Sequence, residues 1–384
     1  MRRVPRGRPG LAGSWERFAR WWHRVLSSPS FQRNSARCWA TRWLALRRTR
    51  AVFDLCAGFV YSRVLQAAVR SNLLEVLAER GPRTVEELSN VLQLSQEATR
   101  KLLRATTALQ LTAARGDDRY DLGRHGAALL GNPSLRSMLD HQDLLYRDLA
   151  DPLKVLGGAP TSLRRYWSYD SGPQGPDPET AATYSSLMAE SLAPLADDAL
   201  ETGVLRGARS LLDVGGGEGA FLERVHRSDP SIRLHLLERP AVAERARKRL
   251  AAAGVGPVDI STADARTDAY PGPVDAVSLV RVLHDHDDPE ALAILRRARA
   301  ALGDGGRLVV VEPMRGIRGT QCVSDVYFNL YLAALGQGRT RSLGELNRLF
   351  RAAGLAPGQR IRTLRPHFTQ VVVTQPETSA GCEF

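Results

Sequence analysis

Cysteine is scarce in this chain: four residues in 384, at Cys38, Cys56, Cys322 and Cys382, far apart and without paired spacing. That pattern suggests neither a disulfide frame nor a zinc site and points to a reduced, cytoplasmic compartment. No run of 18 uncharged apolar residues occurs, and the first 30 residues carry arginines throughout, with no apolar signal-peptide core. Transmembrane and secreted readings are therefore set aside. Lysine is nearly missing, three against 50 arginines, so Arg in place of Lys carries little information at any one position. What is present is ordinary for a globular protein, 43% hydrophobic and 24% charged, which excludes disorder along the whole chain. A length of 384 residues exceeds the roughly 250 to 300 over which one core keeps growing, so two domains are expected.

The formal net charge of +12 has one source. Residues 1–50 hold thirteen Arg and a single acid, Glu16, whereas the other 334 residues hold forty charges of each sign. The same arm contains five of the six tryptophans: Trp15, Trp21, Trp22, Trp39 and Trp43. Trp15, Phe18, Trp22 and Val25/Leu26 fall on one helical face, away from Arg17, Arg20 and Arg24. Indole beside guanidinium suits a helix lying in a lipid headgroup layer. It also suits single-stranded nucleic acid, or an arm that packs its rings on its own protein.

From Ala51 to Leu77 apolar residues recur at helical spacing (Phe53, Leu55, Phe59, Val60, Val64, Leu65, Leu73, Leu74, Leu77) and ask for burial on several sides. Thr84 with Glu87 forms a capping signal, repeated at Ser95-Gln-Glu-Ala98, with Leu102, Leu103, Ala105 and Leu109 expected inside. Two short capped helices joined by a turn read as helix-turn-helix, and Tyr120 with Leu122 as a small wing. Residues 170–180, dense in Pro and Gly, mark a domain boundary. Beyond them the pattern alternates: strands at 209–214, 233–237, 274–280 and 307–311, and helices at 219–228, 241–253 and 289–302. Such alternation means right-handed crossovers and a mostly parallel sheet. Segments 361–364 and 368–374, close in sequence, can pair only as an antiparallel hairpin.

The strongest chemical signal is strand, then Asp213-Val-Gly-Gly-Gly-Glu-Gly219-Ala220, then helix. Glycines let backbone amides approach a ligand, and the helix start offers free N–H groups. Gly215-x-Gly217-x-x-Ala220 also satisfies the dinucleotide fingerprint, so this loop alone does not separate NAD from another adenosine cofactor. Glu238 ends the next strand, 21 residues past Gly217, where a carboxylate can accept both ribose hydroxyls. Asp264, after the third strand, can accept from an adenine amino group. The charge of Glu218 disfavours phosphates in the turn, which points to a cofactor without them.

These motifs resemble the class I S-adenosylmethionine-dependent O-methyltransferases, the family of caffeate and hydroxyindole O-methyltransferases. The matching runs are 211–219, Leu-Glu-Arg-Pro at 237–240, Arg281-Val-Leu-His-Asp-His-Asp-Asp288 and Gly305-Gly-Arg-Leu-Val-Val-Val-Glu312. Segments 53–61, 144–152 and the His-Asp-His-Asp-Asp run are similar to the bacterial carotenoid-pathway branch, which methylates a tertiary hydroxyl of an acyclic carotenoid. The resemblance implies an α/β fold: a Rossmann-like methyltransferase sheet with a C-terminal antiparallel hairpin, preceded by a helical winged-helix-like dimerisation domain. The expected division is 1–50 as basic arm, 51–175 as dimerisation domain, 176–376 as S-adenosylmethionine-binding domain and 377–384 as tail.

By position, Gly215 and Gly217 would line the methionine and ribose, Glu238 would hold the ribose, and Asp264 with Ala265 would flank the adenine. Asp213 and Arg281 also fall to the cofactor. His284 would be the general base, Asp285 its neighbour and Glu312 the carboxylate orienting it; no metal is implied. His near neutral pH is suited to taking a hydroxyl proton, an effect of about 10²- to 10⁴-fold. His286 is read as a supporting residue. Two departures from relatives stand out: Thr340 where plant members carry a second orienting Glu, and Leu335 where phenol-specific members carry Asn. With Met188, Tyr327, Phe328 and Tyr331, that Leu implies an apolar cavity for a lipophilic substrate. The implied assembly is a homodimer, cytoplasmic or peripheral on the inner face of the cell membrane through residues 1–50. Competing readings are a methyltransferase of polyketide or phenolic hydroxyls, a helix-turn-helix DNA regulator, and a nicotinamide oxidoreductase. Acids among Arg83, Arg100, Lys101 and Arg104 break up any phosphate-tracking face, so nucleic acid is not expected.

Overall fold

A computed structural model of the chain describes residues 11–167, 189, 192, 195–365 and 369–377. The chain divides into two compact units, one ending at Ala127 and the other beginning at Ala128. Segment 170–180, where the sequence places a boundary, lies outside the described residues.

In the first unit, helices Leu11–Ser27 and Pro29–Arg37 lead into a 32-residue helix, Trp39–Arg70. Residue 50, the expected end of the arm, therefore falls inside a continuous helix. On Leu11–Ser27 the rings of Trp15, Phe18, Trp21 and Trp22 succeed one another at 5.8–6.1 Å, and Trp22 meets Phe31 edge-on at 6.2 Å. These four rings are exposed. Among the described residues, Trp39–Arg70 is the one helix long and apolar enough to cross a membrane, by length and composition only. It carries Asp54 and Arg63. Its apolar residues are not covered as expected: Leu55 is 83% and Phe59 69% exposed, and full burial begins only at Gln66, Ala68 and Val69.

Thr84 closes a full capping box on helix Val85–Leu92, its hydroxyl accepting from Glu87 N–H and its own N–H donating to the Glu87 carboxylate (2.8 Å). Ser95 caps Gln96–Ala108 through Ala98 N–H alone, because Ala98 has no carboxylate to reciprocate. On that helix Leu103 is buried, but Leu102, Ala105 and Leu109 are only half-buried; Thr99 and Thr106 take the inner positions instead. The Thr106 hydroxyl is satisfied inside by the Leu102 and Leu103 carbonyls and by Thr112 (2.8 Å). Strands β1 (Arg83–Thr84), β2 (Thr112–Arg115) and β3 (Arg119–Leu122) form an antiparallel sheet in the order β1-β3-β2, the expected wing.

The second unit is built on seven strands: β4 (Ser210–Val214), β5 (Arg233–Glu238), β6 (Val258–Thr262), β7 (Val274–Val280), β8 (Leu302–Glu312), β9 (Gln359–Ile361) and β10 (Gln370–Thr374). Their order is β6-β5-β4-β7-β8-β10-β9. The first five are parallel neighbours; β10 pairs antiparallel with β8 and with β9, which is the expected hairpin. β4 is buried throughout and β7 nearly so, and both are mostly apolar, as strands covered on both faces are. One apolar cluster centred on Phe221 and Leu236 lies on one face, and a second around Leu279, Ile294 and Phe350 on the other. The strand order reverses at β4, so the crevice beyond the carboxyl ends of β4 and β7 is where such a sheet binds ligands.

Candidate active site

The loop leaving β4 turns on positive φ angles at Gly215 (65°) and Gly217 (59°), a region costly for residues with a Cβ. At Gly216 a Cβ would fall 2.1 Å from Asp213 Oδ2 and 2.8 Å from the Leu236 side chain. At Gly217 it would meet nothing within 4 Å. One glycine is thus demanded by packing beneath the loop, and the next leaves its upper side open. Gly217 N–H donates to Glu238 Oε2 (2.9 Å), while Glu238 Oε1 accepts from Arg239 N–H (2.8 Å). Burial raises the Glu238 carboxyl, against the pull of those two amides. Asp213, at the end of β4, accepts from the Ser278 hydroxyl (2.6 Å) through one oxygen; its other oxygen is buried and has no partner. Burial pushes this carboxyl up to about 7, partly opposed by the Ser278 bond and reinforced by the Glu238 charge.

Gly215, Gly216, Gly217 and Glu238 line a cavity of about 450 Å³ together with Asp264, Ala265, Arg281, Asp285 and Leu335, while Asp213 lies buried beneath the loop and outside that lining. Both Asp264 oxygens are held by Arg266 (2.7–3.0 Å), whose hydrogen bonds keep that carboxyl down at about 2. Ala265 fixes the rim by accepting from the Tyr270 hydroxyl (2.7 Å). Arg281 has a left-handed backbone (φ 58°) and donates its N–H to Val311 (2.8 Å). Glu218 also lines the cavity, but Arg245 and Arg249 stand 3.4 and 3.8 Å from its carboxylate. Its charge is therefore partly neutralised, and the sequence argument that it repels phosphates is weaker than it looked.

His284 sits in the tight turn Leu283–Asp285 after β7 and is buried. Its Nδ1 pairs closely with Glu312 Oε2 at the end of β8, and its Nε2 lies 3.1 Å from Asp285 Oδ1. Glu312 Oε1 also accepts the N–H groups of Val282 (3.1 Å) and Leu283 (2.7 Å). Burial alone would lower the imidazole's pKa; Asp285 and Glu312 more than reverse this and hold it at about 10. Both ring nitrogens face carboxylates, which favour the imidazolium; Nε2 can accept a proton only after it has given up its own and Asp285 has turned away. Asp285 and His286 line the large cavity, whereas His284 lines a smaller one behind it with Glu312 and Arg341. His286 places Nδ1 3.2 Å from Glu290. Thr340 is buried and bonds to the Ser324 carbonyl (3.4 Å), so it gives the base no carboxylate.

The aromatic residues named from the sequence come from a π-helical segment, Cys322–Phe328, and the helix Asn329–Leu335 that continues it. Phe328 stands edge-on to the His284 ring at 5.8 Å, and Tyr327 stacks on Tyr331 at 5.9 Å. Burial pushes the Tyr327 hydroxyl up to about 12. Leu335 reaches the cavity itself; Met188 lies outside the described residues. The sequence reading missed Arg164, Arg239, Arg266 and Gln337 on the cavity wall and Arg341 behind the base.

Comparison with known proteins gives the same picture. An O-methyltransferase domain family model matches residues 146–356, and an O-methyltransferase dimerisation domain model matches residues 53–132. The demethylspheroidene O-methyltransferase of Cereibacter sphaeroides is 41% identical over 352 residues, 91% of this chain and 93% of its own length. That of Rhodobacter capsulatus is 38% identical over 331 residues, 85% of this chain and 82% of its own. The solved structure of CalO1, a methyltransferase in calicheamicin biosynthesis in its SAH-bound form, matches with a TM-score of 0.71 at 26% identity, covering 86% of this chain and 98% of that one.

Two outcomes are expected. Gly216→Ala should weaken binding of S-adenosylhomocysteine in calorimetry by tenfold or more, since overpacking costs about 1–3 kcal/mol; unchanged affinity would show that the loop tolerates the methyl group. Asp285→Asn removes a charge that raises His284, so the neutral ring persists to lower pH. The acid limb of the kcat/KM profile should then move to lower pH, and an unmoved limb would dissociate the limb from this pair.

Proposed function

The chain belongs to the S-adenosylmethionine-dependent O-methyltransferase family, and from that premise we propose that it methylates the tertiary hydroxyl of an acyclic carotenoid with His284 as general base. The observation that carries this reading is a buried imidazole tethered through Nδ1 to Glu312 with the Phe328 ring edge-on to it. It stands in a chain 41% identical to a demethylspheroidene O-methyltransferase.

The described residues fit the family's cofactor. The open upper face of Gly217 and the Glu238 carboxylate supply a cradle with an acceptor for ribose hydroxyls, and Asp213 supports the loop from beneath. Asp213, Gly215, Gly217, Glu238, Asp264, Ala265 and Arg281 would hold it. When bound, S-adenosylmethionine supplies a methyl group on a sulfonium centre, open to in-line attack. The protein's own work is to bring a hydroxyl to that methyl and remove its proton. A tertiary alcohol is a poor acid, so desolvation of the hydroxyl matters; Leu335 on the cavity wall and the Phe328 ring against His284 are the apolar groups that serve it, while Tyr327 and Tyr331 pack behind the lining. Glu312 fixes which ring nitrogen carries a proton, and so leaves Nε2 as the acceptor once Asp285 has moved.

The dimerisation domain makes the protein a homodimer. Its lipophilic substrate is dissolved in membrane, and the exposed indoles of Trp15, Trp21, Trp22, Trp39 and Trp43, set among thirteen arginines, suit the headgroup layer on the inner face of the cell membrane.

Labelled methyl should pass from S-adenosylmethionine to hydroxylated acyclic carotenoids, and His284→Ala should cut turnover by orders of magnitude with cofactor affinity nearly intact. Transfer only to phenols would replace the substrate assignment, and full activity in the Ala variant would remove the base. Protein lacking residues 1–50 should lose binding to anionic liposomes; equal partitioning would refute the membrane contact.

A further inference from the structure

Behind the base lies a charged side chain that no step above uses. Arg341 is 3% exposed, and a buried guanidinium is costly unless each of its donors is used. Here they are used on one target. Nη1 donates to the Leu283 carbonyl (2.6 Å), Nη2 to the His286 carbonyl (2.7 Å) and Nε to Asp288 Oδ1 (2.9 Å). The fork thus straddles the turn carrying His284, gripping the residue before it and the second residue after it. Arg341 is itself anchored to the segment that carries Glu312: it bridges to Met314, and its carbonyl accepts from Arg315 N–H (3.2 Å). The Leu283 residue is consequently held at both ends, its N–H by Glu312 and its carbonyl by Arg341.

The neighbouring residues press on the same turn. Gly338 donates its N–H to Asp287 (3.1 Å), and a Cβ there would lie 2.2 Å from the His284 carbonyl. Arg339 takes the Asp288 carboxylate from its other side (2.7 and 3.2 Å) and links it to Glu345 (2.9 Å). A planar fork with directed donors makes such a clamp, whereas the single ammonium of Lys does not.

We propose that Arg341 is a positioning residue for methyl transfer: it locks the turn that carries His284 in register with Glu312, so that Nδ1 stays paired and Nε2 is presented at a fixed angle. The proposal rests on His284 being the base. It places Arg341 outside the cofactor cradle, so its loss should touch turnover and the pH profile and spare cofactor binding.

The test uses full-length protein with Arg341→Met, Arg341→Lys, Gly338→Ala and His284→Ala side by side. Each is assayed for methyl transfer to hydroxylated acyclic carotenoid across pH and for S-adenosylhomocysteine affinity by calorimetry. Arg341→Met should lower kcat about 100-fold with KM for the carotenoid and cofactor affinity within about threefold, and should move the acid limb of the kcat profile. Arg341→Lys should recover only part of kcat. Gly338→Ala, which pushes the same turn from the other side, should lower kcat in the same way. If Arg341→Met does not fold, the Lys and Gly338 variants carry the test. Wild-type kcat and an unmoved limb in folded Arg341 variants, with His284→Ala inactive, would overturn the clamp alone. A fully active His284→Ala would instead overturn the base on which it rests. Loss of cofactor affinity in step with kcat would assign Arg341 to the cradle rather than to the base.

Discussion

The second unit turns on one buried carboxylate. Glu312 ends β8 and receives three donors from the turn after β7: the Val282 and Leu283 amides and the His284 ring. A carboxylate that deep in the protein survives only with its oxygens satisfied, so the ends of two adjacent parallel strands are tied together at the point where chemistry is done. The same bonds select the imidazole tautomer. What the sheet contributes is rigidity: β7 and β8 pair in register up to Val280 and Val311, and the site begins one residue later on each strand.

On the other side of the switch point the electrostatics run differently. Burial raises both Asp213 and Glu238, and the Glu238 charge raises Asp213 further. Asp264 and Glu218, nearer the rim, are neutralised by arginines. The crevice therefore keeps its unspent acidity at the floor, beside the glycine loop, where a cationic ligand gains most from it. That is the polarity a sulfonium and an amine ask for, and the reverse of what a pyrophosphate asks for. Glu238, on the cavity wall and held by the Gly217 amide, supports that polarity better than the charge of Glu218.

Much of this was legible before any coordinates because parallel strands announce themselves. Runs such as Leu-Leu-Asp-Val and Val-Ser-Leu-Val are mostly apolar, and each functional residue lies at or just past the carboxyl end of a strand: Asp213, Glu238, Asp264, His284 and Glu312. Topology alone then gathers them at one edge. Other features had no such signature. Arg341 is one of 50 arginines, and nothing in spacing marks the one whose charge is buried. Thr106 occupies an inner position on the helix Gln96–Ala108 because its hydroxyl finds partners within the turn and across it, which a count of apolar residues overlooks; Thr99 is buried beside it with its hydroxyl unpartnered. The apolar face of Trp39–Arg70 looked like core from its composition, yet Leu55 and Phe59 are open in the single chain. Periodicity says that such a face wants cover, and is silent on whether the chain itself supplies it.

The central claim, that His284 is tethered through Nδ1 to Glu312 and strongly shifted, is open to direct observation in protein labelled with nitrogen-15 at histidine. In protein without substrate, where Asp285 faces Nε2, the account predicts a markedly deshielded Nδ1 proton that is absent in His284→Asn and in Glu312→Ala, on a ring that titrates above the ordinary histidine value. A His284 ring with an unshifted Nδ1 proton, titrating at the ordinary value of about 6.5, would contradict it.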